Sequence, residues 1–149
     1  MEDELNKSRT DILRCNVYAN GILIGSAELV GADPPMGCAE GPFYPNDSYK
    51  EIQPIIREHH LYDGTLGEVN QEKMREVEAK ISALRLSVIT EDGEILDPQS
   101  GFHIADYSEE LDEDPYELDV LGLPFEIYDR LFPLAWQEYD DRFKGKEQD

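Results

Sequence analysis

Apolar and polar residues alternate at two places in the chain where a glycine-containing dipeptide breaks the alternation, and each place reads as a β-hairpin. In residues 83–96, Leu84, Leu86 and Val88 alternate with Arg85 and Ser87 as far as Asp92-Gly93, a pair suited to the positive φ of a type I′ turn. A two-residue loop there sets Glu91 opposite Glu94 and Ile89 opposite Leu96. In residues 12–30, Asn20-Gly21 does the same, pairing Ala19 with Ile22, Tyr18 with Leu23, Val17 with Ile24 and Cys15 with Ser26. Ile12, Tyr18, Leu23 and Leu29 make the second face of this ribbon apolar too, so it is expected to be covered on both sides. Further strands are expected at 101–107 and at 116–121, the latter with Tyr116, Leu118 and Val120 inward and Glu117 and Asp119 in water.

Between and after the hairpins the period changes to that of a helix. Ser48 and Glu51 match a capping box, and Pro54 splits this stretch into short helices over 49–53 and 54–61. Asn70 is positioned to cap a helix carrying Met74, Val77, Ile81 and Leu84 at spacings of three and four, ending near 80–82. Residues 124–143 repeat Tyr128, Leu131, Phe132, Ala135, Trp136, Tyr139 and Phe143 at helical spacing around Pro133, an aromatic core face. By contrast, residues 31–46 hold four prolines and three glycines in sixteen positions and read as a long irregular loop. The expected fold is therefore α+β: one antiparallel sheet of about five or six strands built from the two hairpins, with helices packed against it. All 149 residues fit one domain, with 1–10 and 144–149 frayed.

Charge narrows the function classes. With 34 acidic and 13 basic side chains the chain carries −21, which argues against nucleic-acid phosphates and anionic membranes as partners and favours a basic protein. Eight carboxylates crowd into residues 106–119: Asp106, Glu109, Glu110, Asp112, Glu113, Asp114, Glu117 and Asp119. They are the expected partner-binding surface. The start, Met-Glu-Asp-Glu-Leu-Asn-Lys, has neither the basic nor the apolar region of a secretory signal, no apolar run approaches the ~20 residues of a membrane helix, and the two cysteines lack a paired spacing; a cytoplasmic location is expected.

Catalytic signatures are sparse. His59 and His60 read as exposed residues at a helix end, and adjacent helical side chains point about 100° apart, so a shared ion is not expected. His103 and Asp106 fall on opposite faces of their strand. The acidic run lacks the order of an EF-hand loop, and no cofactor motif occurs, so neither metal nor cofactor is expected. Cys15 reads as a small core residue. Function is thus expected to be that of an interaction module. The alternative is a small-ligand binder or enzyme with a pocket under 31–46, using Asp33, Cys38, Glu40 and Tyr44. A homodimer paired through a free sheet edge is a third expectation.

Overall fold

The computed structural model describes residues 11–147, with side chains through Arg142. The expected fraying of 1–10 and of 148–149 lies outside the described residues, as does the Phe143 side chain, while the last helix runs on to Glu147. Strands β1 (Leu13–Ala19), β2 (Ile22–Asp33), β3 (Cys38–Pro45), β4 (Leu86–Thr90), β5 (Phe102–Asp106) and β6 (Tyr116–Val120) form one antiparallel sheet in the order β4-β1-β2-β3-β6-β5. Helices α1 (Gln53–Tyr62), α2 (Gln71–Ala83), α3 (Phe125–Leu131) and α4 (Pro133–Glu147) complete an α+β fold. Among the described residues, no helix is long and apolar enough to cross a membrane.

The first hairpin turns where Asn20 and Gly21 both adopt positive φ, at 52° and 78°. Its register follows the expected pairs only for Ala19–Ile22 and Tyr18–Leu23; then Ile24 is inserted, and Val17 faces Gly25 and Cys15 faces Ala27. The bulge turns Ile24 into the core and keeps Cys15, Val17, Ala27 and Leu29 there with it. Gly25 is required at this point, because a Cβ would lie 2.8 Å from the Phe43 ring and strike the Tyr44 carbonyl. Ile12, Ile22 and Leu23 remain exposed, so the ribbon is covered on one side, not on both.

Residues 31–46 are not a loop. β2 runs through Gly31 to Asp33, a single 3-10 turn covers Pro34–Met36, and β3 lies in the interior of the sheet between β2 and β6. Glycine and proline are tolerated here because of what lies beside them in the sheet. A side chain at Gly41 would collide with the Glu28 carbonyl, and the β2–β3 ladder passes from Ala27–Phe43 to Val30–Glu40, skipping Pro42, which has no N–H to give.

At Asp92-Gly93 the loop is longer than a two-residue turn: the Gly93 N–H donates to the Thr90 carbonyl at 2.8 Å and the Thr90 N–H to the Glu94 carbonyl at 2.8 Å. The pairing slips by one, so Ile89 faces Ile95 and not Leu96. A one-residue slip exchanges the two faces, leaving Ile95 exposed and Leu96 buried. β4 pairs with β1 at one edge of the sheet, so this hairpin is peripheral.

The helical expectations survive with adjusted ends. Asn46 takes the capping role expected of Ser48, its side chain accepting the Ser48 N–H at 2.9 Å over a 3-10 turn at Asp47–Glu51; Pro54 then sits in the first turn of α1. Asn70 caps α2 through the Lys73 N–H, and Pro133 opens α4. Tyr49, Tyr128, Phe132 and Ala135 join the buried strand residues in one core on one face of the sheet. If the close approach of β2 to β3 holds that core in register, Gly41→Ala should lower the unfolding free energy by about 3 kcal/mol or more. Gly93→Ala, strained in φ but uncrowded, should cost about 1–2 kcal/mol, the two being compared by urea midpoints at constant slope.

Candidate functional site

The face of the sheet opposite the core carries the polar members of each alternation. Antiparallel register sets Glu40 of β3 beside Asp119 of β6, and Asp119 beside His103 of β5, so three distant residues form one cross-strand row. His103 Nδ1 lies 3.2 Å from the Asp119 carboxylate. That hydrogen bond raises the His103 pKa against the opposing effect of burial. Glu117, two residues along the same face of β6, completes a group of three carboxylates whose ligand atoms lie within 4.8 Å of one another.

Helix α1 meets this row at the sheet edge, and the buried Asp106 fixes where. Asp106 is fully buried; Tyr49 Oη donates to its carboxylate at 2.6 Å, Gln53 Nε2 at 3.0 Å and the Ser108 N–H at 2.9 Å. Burial works to raise its pKa, but these donors outweigh it and hold the carboxyl below its ordinary value. The Asp106 N–H, on the outer edge of β5, donates to His60 Nε2 at 3.0 Å, and Arg57 donates to the Asp106 carbonyl at 2.8 Å. In this way the last strand's edge is closed by a helix.

The same docking draws the α1 histidines inward. His60 is fully buried and the His59 side chain is 16% exposed, so neither is the exposed helix-end residue that the sequence suggests. Their ring centroids lie 6.0 Å apart, and Asp63, three and four residues on, reaches both: its Oδ2 lies 3.2 Å from His59 Nδ1 and 3.4 Å from His60 Nδ1. Ring centroids of His59, His60 and His103 are 5.6–6.0 Å apart, and each of His59, His60, Asp63 and His103 offers a ligand atom within 4.8 Å of the others. Burial lowers the His60 pKa, with Asp63 opposing. For Asp63 the effect of burial is overcome by the Thr65 hydrogen bonds and the two histidines, leaving its pKa low.

The expected acidic surface is divided among several environments. Asp106 lies in the interior and not on the surface; Glu109 and Glu110 are paired with Arg57 at 2.5 and 2.6 Å. Asp112, Glu113 and Asp114 are exposed in the connection between β5 and β6, while Glu117 and Asp119 are half-buried on the polar face. Crowding there is severe. Burial, a hydrogen bond with Asp119 and the charges of Asp119 and Glu40, offset in part by His103, push the Glu117 carboxyl up to about 7.

The residues named for a pocket under 31–46 separate. Asp33 and Cys38 pair at the far ends of β2 and β3, with the Cys38 carbonyl accepting from Tyr128 Oη at 3.1 Å. Glu40 and Tyr44 instead project from β3 onto the polar face. Glu40 lines a cleft of about 290 Å³ with Pro42, Asp114 and Glu117, and Tyr44 lines one of about 520 Å³ with Arg14, Asn16, Ser26, Glu28 and Glu91. Cys15 at the base of the larger cleft is a buried thiol pushed up to about 12, unsuited to nucleophilic work. Sequence reasoning misses Asp63 and the pairing of Asp119 with His103. A signal for the first is its spacing from His59 and His60; the second needs the register of β5 on β6.

Two carboxyls on opposite faces should shift stability with opposite sign. Glu117, protonated more readily folded than unfolded, lowers stability as pH rises from about 4.5 to about 7, so Glu117→Gln should stabilise by on the order of 1 kcal/mol at pH 8 and have almost no effect at pH 4. Asp106, ionised more readily when folded, contributes stability above its unfolded value that is lost as pH falls through its lower folded value. Asp106→Ala should therefore cost about 3 kcal/mol or more at pH 7, the difference from wild type shrinking in acid, as read by urea unfolding across the pH range. Comparison with protein-family models, with curated proteins and with solved structures returns no match to this chain.

Proposed function

We propose that the protein is an interaction module whose polar sheet face receives an extended, lysine- and arginine-rich segment of a basic partner. The observation that carries the reading is the crowding of Glu40, Glu117 and Asp119 on a face where Arg14, Asn16, Glu40 and Tyr44 stay exposed, with Glu117 held up to about 7 by burial and by the neighbouring carboxylates Asp119 and Glu40. A cationic side chain placed among these carboxylates would relieve their mutual repulsion, which gives binding a favourable charge term beyond surface steering. Tyr44 adds an aromatic ring on which a guanidinium can stack. The exposed Asp112, Glu113 and Asp114 flank the same end of the face and extend its negative field.

Such a module would act in the cytoplasm, in keeping with two free thiols, and would have no use for nucleic acid. A second copy is the competing association and would appear as a dimer in light scattering, although residues 94–96 already pair along part of the outer edge of β4. The test uses a decamer of arginine as probe, followed by amide chemical shifts. Shifts should concentrate on β1, β2, β3 and β6, weaken steeply between about 0.05 and 0.5 M salt, and vanish in Glu40→Lys/Glu117→Lys. Charge reversal at Glu72, Glu76 and Glu78 on α2 should leave them in place. Shifts centred on α2, or unchanged by the face variant, would remove the reading.

A further inference from the structure

We propose that His59, Asp63 and His103 form a binding site for one first-row divalent transition ion, with Zn2+ as the reference ion, and that His60 and Asp119 are positioning residues, not ligands. The hydrogen bonds divide the four-residue cluster in this way. His60 Nε2 accepts the Asp106 N–H, so the neutral ring carries its proton on Nδ1 and directs it toward Asp63. Binding an ion through Nδ1 would put the proton on Nε2, where it would point at the Asp106 N–H; binding through Nε2 would break that bond. His60 therefore orients Asp63, whose other oxygen accepts the Thr65 N–H at 2.8 Å.

His103 is arranged the other way. Its Nδ1 faces Asp119, which leaves Nε2 as the nitrogen for an ion, the carboxylate–histidine–metal order common in metal sites. His59 and Asp63 already stand at 3.2 Å, close to the ~3.3 Å between neighbouring ligands of a tetrahedral ion with bonds of ~2.0–2.1 Å. One ring nitrogen of His103 lies within 4.8 Å of the ligand atoms of His59 and Asp63, and rotation of these partly exposed imidazoles would bring Nε2 into the shell. Two imidazoles and a carboxylate suit Zn2+, Co2+, Fe2+ or Mn2+, and not the all-oxygen shell of Ca2+. Three protein ligands leave a position for water. Charge also balances: a divalent ion offsets Asp63 and Asp119, whereas three imidazolium ions this close would repel one another.

The test is calorimetric titration of the untagged full chain with Zn2+ in excess Mg2+, which occupies exposed carboxylates. One ion per chain is expected, with at least a hundredfold loss of affinity in His59→Ala and in His103→Ala, and a loss of about tenfold to a hundredfold in Asp119→Asn. Variants need not carry the outcome alone. On the wild-type chain, Zn2+ should move the ring resonances of His59 and His103 while the His60 Nδ1 proton stays observable. Absence of stoichiometric binding, equal binding by His103→Ala, or loss of the His60 Nδ1 proton on adding Zn2+ would overturn the assignment. None of these readouts involves a basic peptide, so the result stands apart from the interaction proposal.

Discussion

A fully buried carboxylate, that of Asp106, is the constraint on which the remaining arrangement of this protein depends. An ion in the interior is tolerable only when its lone pairs are met, and here a tyrosine, a glutamine and a backbone amide meet them, while a histidine accepts and an arginine donates at the main chain of the same residue. Four of these five partners come from α1 and the turn that leads into it. Satisfying one charge therefore dictates where the helix lies, and the helix lies along the edge of β5. That edge is closed to pairing, and the last turn of α1 is delivered to His103.

The second constraint is close packing of backbone at glycine. Gly25 and Gly41 let β2 and β3 approach to distances that a Cβ would forbid, so a segment dense in proline and glycine becomes an interior strand. The bulge at Ile24 belongs to the same solution. It sends one extra apolar residue inward and gives the sheet two unlike sides: an aromatic and aliphatic core under α3 and α4, and a polar face bearing carboxylates. Burying one side while hydrating the other is the usual economy of an antiparallel sheet.

On that polar face the chain's negative charge ceases to be a uniform solvated coat. Arg57 pairs with both Glu109 and Glu110 and offsets one of their two charges, Arg14 lies 3.7 Å from Glu28, and His103 faces Asp119, yet Glu117 and Glu40 keep a surplus. A surplus of like charge in a partly buried setting is a standing preference for cations. Both proposals draw on it in different places, the sheet face for cationic side chains and the α1 rim for an ion.

How much of the protein is legible in its sequence depends on whether the deciding interaction is local. Alternation, the Asn20-Gly21 turn, the Asn70 cap, Pro133 and the aromatic spacing after it act within a few residues, and from them the fold class and most element positions can be read directly. Three features cannot, because each depends on atoms far away in the chain. β3 exists because Glu28 and Leu118 lie against Gly41; Asp106 is interior because Tyr49 and Gln53 reach it; His59, Asp63 and His103 converge because α1 docks on β5. Local propensity determined which segments extend or coil, whereas strand register and the satisfaction of a buried charge, both set only when remote segments meet, decided which side chains share a site.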